Sequence, residues 1–202
     1  MIIVPASATI EDATPFALAR IEVAGRTCYK SEARIGPDSA DKFVRMIRDR
    51  GHLAMLDHAS ASVRFIVDRG VSHEIVRHRI GVGYAQESTR YCNYGKPGHI
   101  TVVDPGLTGA SRRVWQRACE LAEASYLAMI HEGATPQEAR SVLPTSTKTE
   151  LVMTATFTAW RHFFALRCDR SAHPQMVEVA RPLCVDFAAR WPAAFDDLGG
   201  AT

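Results

Sequence analysis

Residues 77–91 read RHRIGVGYAQESTRY, and this stretch decides how the rest of the chain is interpreted. Three arginines, Arg77, Arg79 and Arg90, lie within fourteen residues, together with the hydroxyl pair Ser88–Thr89. Guanidinium groups bind phosphates through paired hydrogen bonds, and hydroxyl groups add further donors. Several guanidiniums this close together are not buried comfortably without anions that balance their charge. The stretch therefore predicts a phosphate or nucleotide ligand.

Other interpretations of this stretch are less well supported. A surface network of ion pairs has only Glu74 and Glu87 as local carboxylates. Zinc is disfavoured because His73 and His78 are five residues apart, whereas zincin histidines are four apart on one helix face. Gly81 and Gly83 do not indicate a dinucleotide-binding loop, because the third glycine and the downstream acid of that motif are absent. Ser88 lacks the Gly-x-Ser-x-Gly turn of a serine hydrolase.

Composition places the chain among ordinary globular proteins. It has 202 residues, 24 Lys and Arg against 22 Asp and Glu, a formal net charge of +2 and 47% hydrophobic residues. These values exclude a disordered acidic chain and a polybasic protein, so no nucleic-acid partner is expected. Twenty of the 24 basic residues are arginine. A coding bias explains most of them, although arginine also suits bidentate contacts to phosphate.

Cysteine usage and hydropathy indicate a cytoplasmic protein. The five cysteines are an odd number without a Cys-x-x-Cys pair, so we expect free thiols. We find no apolar run long enough for a membrane span and no signal peptide, so no membrane partner is expected. No metal site is expected. Without repeats or linkers, residues 1–202 are predicted to form a single domain.

The hydrophobic pattern predicts a mixed α+β chain. Strands are expected at 2–4, 61–67, 100–103 and 151–157. Helices are expected at 15–25, 38–51, 72–79, 111–131, 160–166 and 174–191. The first helix is expected to end at Gly25, and the third to begin at Ser72 as N-cap. Thr135–Glu138 is a capping box followed by a short helix that carries Arg140.

The 77–91 stretch resembles the fingerprint of the flavin-dependent thymidylate synthases, the ThyX family, written RHR, seven residues, Ser, any residue, Arg, Tyr. Upstream, Gly51-His52 and Asp57-His58 are similar to the family's Gly-His and Glu-His element. Downstream, ARSVLP and WRHFFALR resemble two further elements, and His173-Pro174-Gln175 resembles the start of the final helix. The similarity extends from roughly Phe16 to Leu198, with its motifs in the family's order.

This resemblance implies a fold and a reaction. The fold would be a central, mostly antiparallel sheet with flanking helices. The protein would be a homotetramer that binds FAD and dUMP at sites shared between subunits. It would transfer a methylene group from methylenetetrahydrofolate to C5 of dUMP, with FADH2 as reductant and NADPH reducing the flavin. No covalent cysteine adduct is needed, which agrees with the lack of an obvious nucleophile motif among the cysteines.

The resemblance also implies roles for individual residues. Arg167 would stabilise negative charge on the pyrimidine, an oxyanion-hole type of catalysis, and His58 would position the flavin or the folate. A helix C-terminal arginine that complements the helix dipole is the alternative for Arg167. The expected cofactor-binding residues are Ser60, Arg77, His78, Arg79, Gln86, Glu87, Thr156, Thr158 and His162. The expected substrate-binding residues are Glu74, Arg77, Gln86, Glu87, Ser88, Thr89, Arg90, Arg140 and Arg167.

The chain departs from the family pattern at two places. Eight residues instead of seven separate Arg79 from Ser88, so one must be accommodated, and the flexible backbone of a glycine at 81 or 83 favours a bulge there. The extra residue leaves both Gln86 and Glu87 as candidates for the family's Glu position. An Asn-x-Arg element that contacts flavin in relatives is here Thr156-Phe157-Thr158, which weakens the expected flavin site.

Two functional hypotheses of different kinds follow. The first is an active flavin-dependent thymidylate synthase. The second is a diverged homologue that binds nucleotides but has altered or lost methylation, or modifies another pyrimidine nucleotide. A general RNA- or phosphate-binding protein is disfavoured, because a net charge near zero gives no broad basic surface.

Overall fold

The computed structural model describes residues 1–198. In that range strands β1 to β6 are Ile2–Val4, Ser7–Ala13, Ser60–Asp68, Val82–Gln86, Thr101–Val103 and Lys148–Thr156. Helices α1 to α8 are Ala17–Thr27, Ser39–Asp49, Arg69–Ile75, Gly109–His131, Pro136–Ala139, Phe157–Arg167, Pro174–Arg190 and Pro192–Phe195. Short 3-10 turns occupy Glu32–Arg34, Leu53–His58 and Arg140–Val142. Of the helices formed by these 198 residues, none combines the length and apolar character of a membrane span.

The larger sheet has four strands in the order β2-β3-β6-β4. Partner residue numbers rise on one strand as they fall on the other, which is the antiparallel pattern. The pairs are Glu87/Glu150 and Gly81/Thr156 for β4 with β6, and Ser62/Thr154 and Ala59/Phe157 for β3 with β6. Buried and accessible residues alternate along most of β3 and β6, as expected where one face of a sheet is covered.

A second sheet contains only two strands, β1 and β5, which run parallel with Ile3 opposite Val102. Its buried residues join Cys119 of the long helix α4 in a small apolar core. The N-terminal ammonium of Met1 lies 2.7 Å from a carboxylate oxygen of Glu123 on the same helix. This ion pair and the apolar core anchor the start of the chain to α4.

The described chain forms two compact units by its internal contacts. The first unit comprises residues 1–7, 65–76 and 85–151, and the second comprises residues 8–64, 77–84 and the chain from 152 onward. The single-domain organisation of residues 1–202 stays a prediction. The core of the second unit is aromatic, with ring centroids 5.1 to 6.2 Å apart, and contains Trp160, Phe163, Phe164, Phe187 and Phe195.

The structure corrects the predicted third helix. It begins at Arg69 and not at Ser72, because the Asp68 carboxylate accepts a hydrogen bond of 2.7 Å from Val71 N and forms the N-cap. It ends at Ile75, so the RHR residues follow the helix instead of belonging to it. The prediction that Gly25 ends α1 is also wrong. A Cβ there would lie 2.6 Å from the Phe43 ring, so this glycine permits close packing within a helix that continues.

Candidate active site

The second unit contains a cleft of about 960 Å³, near the upper end of the roughly 300–1,000 Å³ typical of ligand sites. The Leu53–His58 turn, the segment after α3, the start of β4 and helix α6 contribute to its wall. Seven residues predicted from the sequence line it together: Arg77, His78, Arg79, Thr156, Thr158, His162 and Arg167. The same lining includes the apolar residues Leu53, Ile80, Val82, Leu166 and Leu198.

Arg167 and His78 are in direct contact in this cleft. Arg167 is the last residue of α6, and its Nε donates a hydrogen bond of 3.1 Å to His78 Nε2. The acceptor role of Nε2 places the proton of a neutral His78 on Nδ1. The His78 ring lies 5.1 Å from the ring of Phe163, which belongs to the aromatic core. The core of the second unit thus fixes both the imidazole and the helix that carries the guanidinium.

His78 is held neutral by its surroundings. Burial, assisted by the charge of Arg167 and by His162, lowers the pKa of His78 to about 4. The backbone carbonyl of His78 accepts a hydrogen bond of 2.8 Å from the Tyr84 hydroxyl. Burial raises the pKa of Tyr84 to about 12, so this hydroxyl remains a donor at neutral pH. Around neutral pH the site therefore places a charged guanidinium on a fixed, uncharged acceptor.

The charges that line the cleft favour an anionic ligand. Arg77, Arg79, Arg161 and Arg167 contribute four guanidiniums, of which Arg161 pairs with the Asp197 carboxylate at 2.6 Å. Asp57 is the single carboxylate among the described lining residues. The Asp57 carboxylate accepts a hydrogen bond of 2.8 Å from the Thr156 hydroxyl. Cationic groups beside an apolar wall suit a ligand that combines a planar ring system with phosphates.

Gly81 makes the turn from the RHR segment into β4 possible. Its φ angle is +68°, in the left-handed region that favours glycine, and its carbonyl accepts a hydrogen bond of 3.0 Å from Thr156 N. A Cβ at this position would lie only 2.9 Å from the Thr156 hydroxyl oxygen. Gly83 lies within β4 without a positive φ. Of the two candidate glycines, Gly81 is therefore the one with the special backbone conformation.

The first unit brings together the hydroxyl and arginine residues of the second half of the stretch. The carbonyl of Ser88 accepts hydrogen bonds from the backbone N–H groups of Tyr91 and Cys92 and closes a turn. The hydroxyl of Thr89 is 3.4 Å from a terminal nitrogen of Arg140, although the two are 51 residues apart in the sequence. Arg90 is exposed and donates to the side chain of Gln137. These contacts assemble donors suitable for an anion.

The two candidates for the family's Glu position occupy different networks in the first unit. The amide nitrogen of Gln86 donates to the hydroxyls of Ser72, at 3.0 Å, and Thr149, at 3.2 Å. Because the Ser72 hydroxyl itself donates to the carbonyl of Arg69, it acts as acceptor for the amide, which fixes the orientation of Gln86. Glu87 instead pairs with Lys148, with 3.0 Å between the ammonium nitrogen and the carboxylate oxygen.

Comparison with known proteins identifies the family. Residues 9–193 match the family model described as thymidylate synthase complementing protein. The flavin-dependent thymidylate synthase of Mycobacterium bovis (strain BCG / Pasteur 1173P2) is 33% identical over an alignment of 200 positions. The alignment covers 89% of this chain and 79% of that protein. The chain belongs to the flavin-dependent thymidylate synthase family. The protein of the same name from Mycobacterium sp. (strain KMS) is 33% identical over an alignment of 204 positions.

Solved structures confirm the fold expected for a flavin-dependent thymidylate synthase. The UMP/dUMP methylase PolB from Streptomyces cacaoi, bound with 5-Br dUMP, superposes with a TM-score of 0.79 at 24% identity and covers 97% of this chain and 96% of its own. Thymidylate synthase X from Helicobacter pylori, with FAD and dUMP, has a TM-score of 0.78 at 18% identity and covers 96% and 99%. The predicted α+β fold with a mostly antiparallel sheet is therefore correct.

Some residues expected from the family lie neither in the cleft of the second unit nor among the hydroxyl and arginine residues that the first unit brings together. His58 is exposed at the end of the Leu53–His58 turn and is absent from the described lining of the cleft, although its neighbour Asp57 is part of it. Ser60 starts β3, where its hydroxyl lies 3.3 Å from that of Thr14. Glu74 is half-buried on α3 in the first unit. The roles of these three residues stay predictions, as do the roles of the other predicted site residues.

Several residues that shape the cleft and the polar contacts of the first unit were not predicted from the sequence. Tyr84 anchors the backbone of His78, Arg161 adds a guanidinium to the cleft, and Lys148 neutralises Glu87. Tyr84 and Lys148 can be predicted only if β4 and the first residues of β6 are recognised as strands. Arg161 stands one turn of helix after Thr158, so its place on the α6 face was readable from the helical period.

Proposed function

We propose that this chain is a flavin-dependent thymidylate synthase that converts dUMP to dTMP. The reaction consumes dUMP, methylenetetrahydrofolate and FADH2 and yields dTMP, tetrahydrofolate and FAD. The added carbon comes from the folate, and the two electrons that reduce it to a methyl group come from the flavin. The observation that carries this proposal is the basic cleft in which the RHR histidine, His78, holds Arg167.

The residues of the cleft fit FAD. Arg77 and Arg79 suit its two phosphates, and the apolar wall with His162 suits the flat isoalloxazine ring. When bound, FAD in its reduced form supplies the hydride. A positive guanidinium near the ring also stabilises an anionic reduced flavin. Thr156 and Thr158 line the same cleft and take the positions of the Asn and Arg that relatives use. Arg161, one turn further along, pairs its guanidinium with Asp197.

Arg167 is assigned the catalytic role. A guanidinium at the edge of the pyrimidine stabilises the negative charge that develops on N3 and O4 as C5 becomes a nucleophile. The neutral imidazole of His78 orients Arg167 without competing as a second cation. His58 is assigned a positioning role toward flavin or folate, with Ser60 beside it in sequence.

The phosphate and sugar of the nucleotide are assigned to the donors of the first unit. Arg90 and Arg140 bind the phosphate as charged donors, and the Ser88 and Thr89 hydroxyls complete its coordination. The Gln86 amide, oriented by Ser72, presents its carbonyl oxygen as an acceptor for a sugar hydroxyl. The expected contacts from Glu74 and Arg77 belong to the same proposal. NADPH as reductant, a homotetramer with shared sites and a cytoplasmic location complete it.

A direct assay tests this proposal. Purified protein supplied with FAD, NADPH and methylenetetrahydrofolate should convert dUMP to dTMP, and its flavin spectrum should bleach with NADPH. UMP serves as the competing substrate, because the structurally similar PolB is described as a UMP/dUMP methylase. Flavin reduction without any dTMP would contradict the proposal. Methylation of UMP in place of dUMP would move the chain to the diverged class.

A further inference from the structure

Glu87 lies at the centre of a polar network in the first unit. Its Oε1 accepts a hydrogen bond of 2.9 Å from the Tyr94 hydroxyl. Its Oε2 lies 3.0 Å from Lys148 Nζ and accepts a hydrogen bond of 3.2 Å from Glu150 N. The Glu87 and Lys148 side chains are only 16% and 18% exposed. Three donors thus occupy the carboxylate in surroundings largely shielded from water.

The backbone of Glu87 is fixed as firmly as its side chain. Its N–H donates to the carbonyl of Glu150 at 2.9 Å, and its carbonyl oxygen accepts from a terminal nitrogen of Arg69 at 3.3 Å. The next residue, Ser88, begins the turn that carries the proposed phosphate donors. Glu87 is therefore the last anchored residue before that turn.

The network keeps Lys148 as an ammonium and Tyr94 as a hydroxyl. Burial opposes the charge of Lys148, but hydrogen bonds to Glu150 and Glu87 outweigh it and raise the pKa of the ammonium. Burial, together with the negative charge of Glu87, raises the pKa of Tyr94, which therefore remains a hydrogen-bond donor. A bare carboxylate beside a phosphate-binding turn would repel the ligand, and pairing with Lys148 removes this repulsion.

We propose that Glu87 is a positioning residue that holds the Ser88–Tyr91 turn in the geometry that binds the nucleotide phosphate. It acts through Lys148 and Tyr94 rather than by contact with the nucleotide. This inference rests on the proposed function, since it takes dUMP as the ligand of the turn.

The test compares dUMP with deoxyuridine, which lacks the phosphate. Glu87→Ala should raise the dissociation constant of dUMP by roughly tenfold or more, since it removes charge-assisted hydrogen bonds that hold the turn. Deoxyuridine binding should change much less than dUMP binding, because deoxyuridine has no phosphate for the turn to hold. Glu87→Gln should have a smaller effect, because it keeps acceptors for Tyr94 and Glu150 N. Glu150→Gln is the matched control, because its carboxylate shares Lys148 but is 42% exposed.

Unchanged dUMP affinity in Glu87→Ala would overturn the inference, and so would an equal loss for dUMP and deoxyuridine. If Glu87→Ala does not fold, the double variant Glu87→Gln/Lys148→Met removes the charge pair without leaving an ammonium unpaired. That variant must then show the selective loss of dUMP affinity, and its absence would also overturn the inference. If the wild type itself binds no dUMP, the proposed function fails, which is a separate outcome.

Discussion

At the residue scale, the proposed function assigns the chemistry to Arg167, which is held by His78. A protonated imidazole could not accept the Arg167 Nε–H, so the contact of 3.1 Å requires the neutral form that burial imposes. Keeping His78 neutral lowers the free energy of unfolding at acidic pH, and removing the Arg167 guanidinium lowers the rate of catalysis. These two consequences give separate predictions.

His78 should make stability depend on pH in a defined direction. Its pKa is about 4 in the folded protein and near 6.5 when unfolded, so the unfolded chain binds more protons between these values. The free energy of unfolding should therefore fall as the pH falls, with a His78 contribution of about 2 kcal/mol between pH 7 and pH 5. His78→Gln does not titrate and should lack this component in urea unfolding at each pH. Parallel pH profiles for wild type and variant would contradict the assignment, and His131→Gln, at an exposed helix end, serves as control.

Arg167 should be needed for catalysis more than for folding. Arg167→Ala should lower kcat by roughly 10²- to 10³-fold, the loss typical of a removed oxyanion-stabilising donor. Its melting temperature should stay close to wild type. Steady-state dTMP formation measures the effect, and Arg190→Ala, exposed at the end of α7, is the matched control. Near wild-type activity in Arg167→Ala would leave only the helix-dipole interpretation.

At the element scale, strand pairing explains what sequence patterns missed. The capping box at Thr135 was predicted correctly, because it depends on neighbouring residues alone. The β1 strand was predicted correctly from its run of apolar residues. Strand β4 was not among the predicted strands, because its strand geometry comes from pairing with β6. The 77–91 stretch therefore contains a strand that was not predicted, and its role in binding a phosphate or nucleotide stays a prediction.

Gly81 and Gly83 offer a matched test of this geometry. Gly81→Ala should lower the free energy of unfolding by about 1–2 kcal/mol, because it forces a Cβ into a left-handed conformation 2.9 Å from the Thr156 oxygen. Gly83→Ala meets no atom closer than 4.0 Å and should be nearly neutral. Chemical denaturation of both variants measures the difference. Equal stabilities would show that the Gly81 turn is not under this constraint.

At the scale of the whole molecule, a net charge of +2 conceals local concentrations of positive charge. Four arginines line the cleft of the second unit, and Arg90 and Arg140 lie near the Ser88–Thr89 hydroxyls in the first unit. Sequence motifs identified nearly all of these residues, because the family pattern spans residues 9–193. They did not identify Tyr94 or Lys148, whose roles depend on tertiary contacts with Glu87. The arginines fit small anionic ligands rather than a polymer.

The most direct test of the central claim is a single-turnover experiment under anaerobic conditions. Protein with reduced FAD is mixed with dUMP and methylenetetrahydrofolate, and the flavin absorbance and dTMP are followed together. We expect one dTMP for each flavin oxidised, with no oxidation when either substrate is omitted. Formation of dTMP without flavin oxidation, or flavin oxidation without dTMP, would contradict the account.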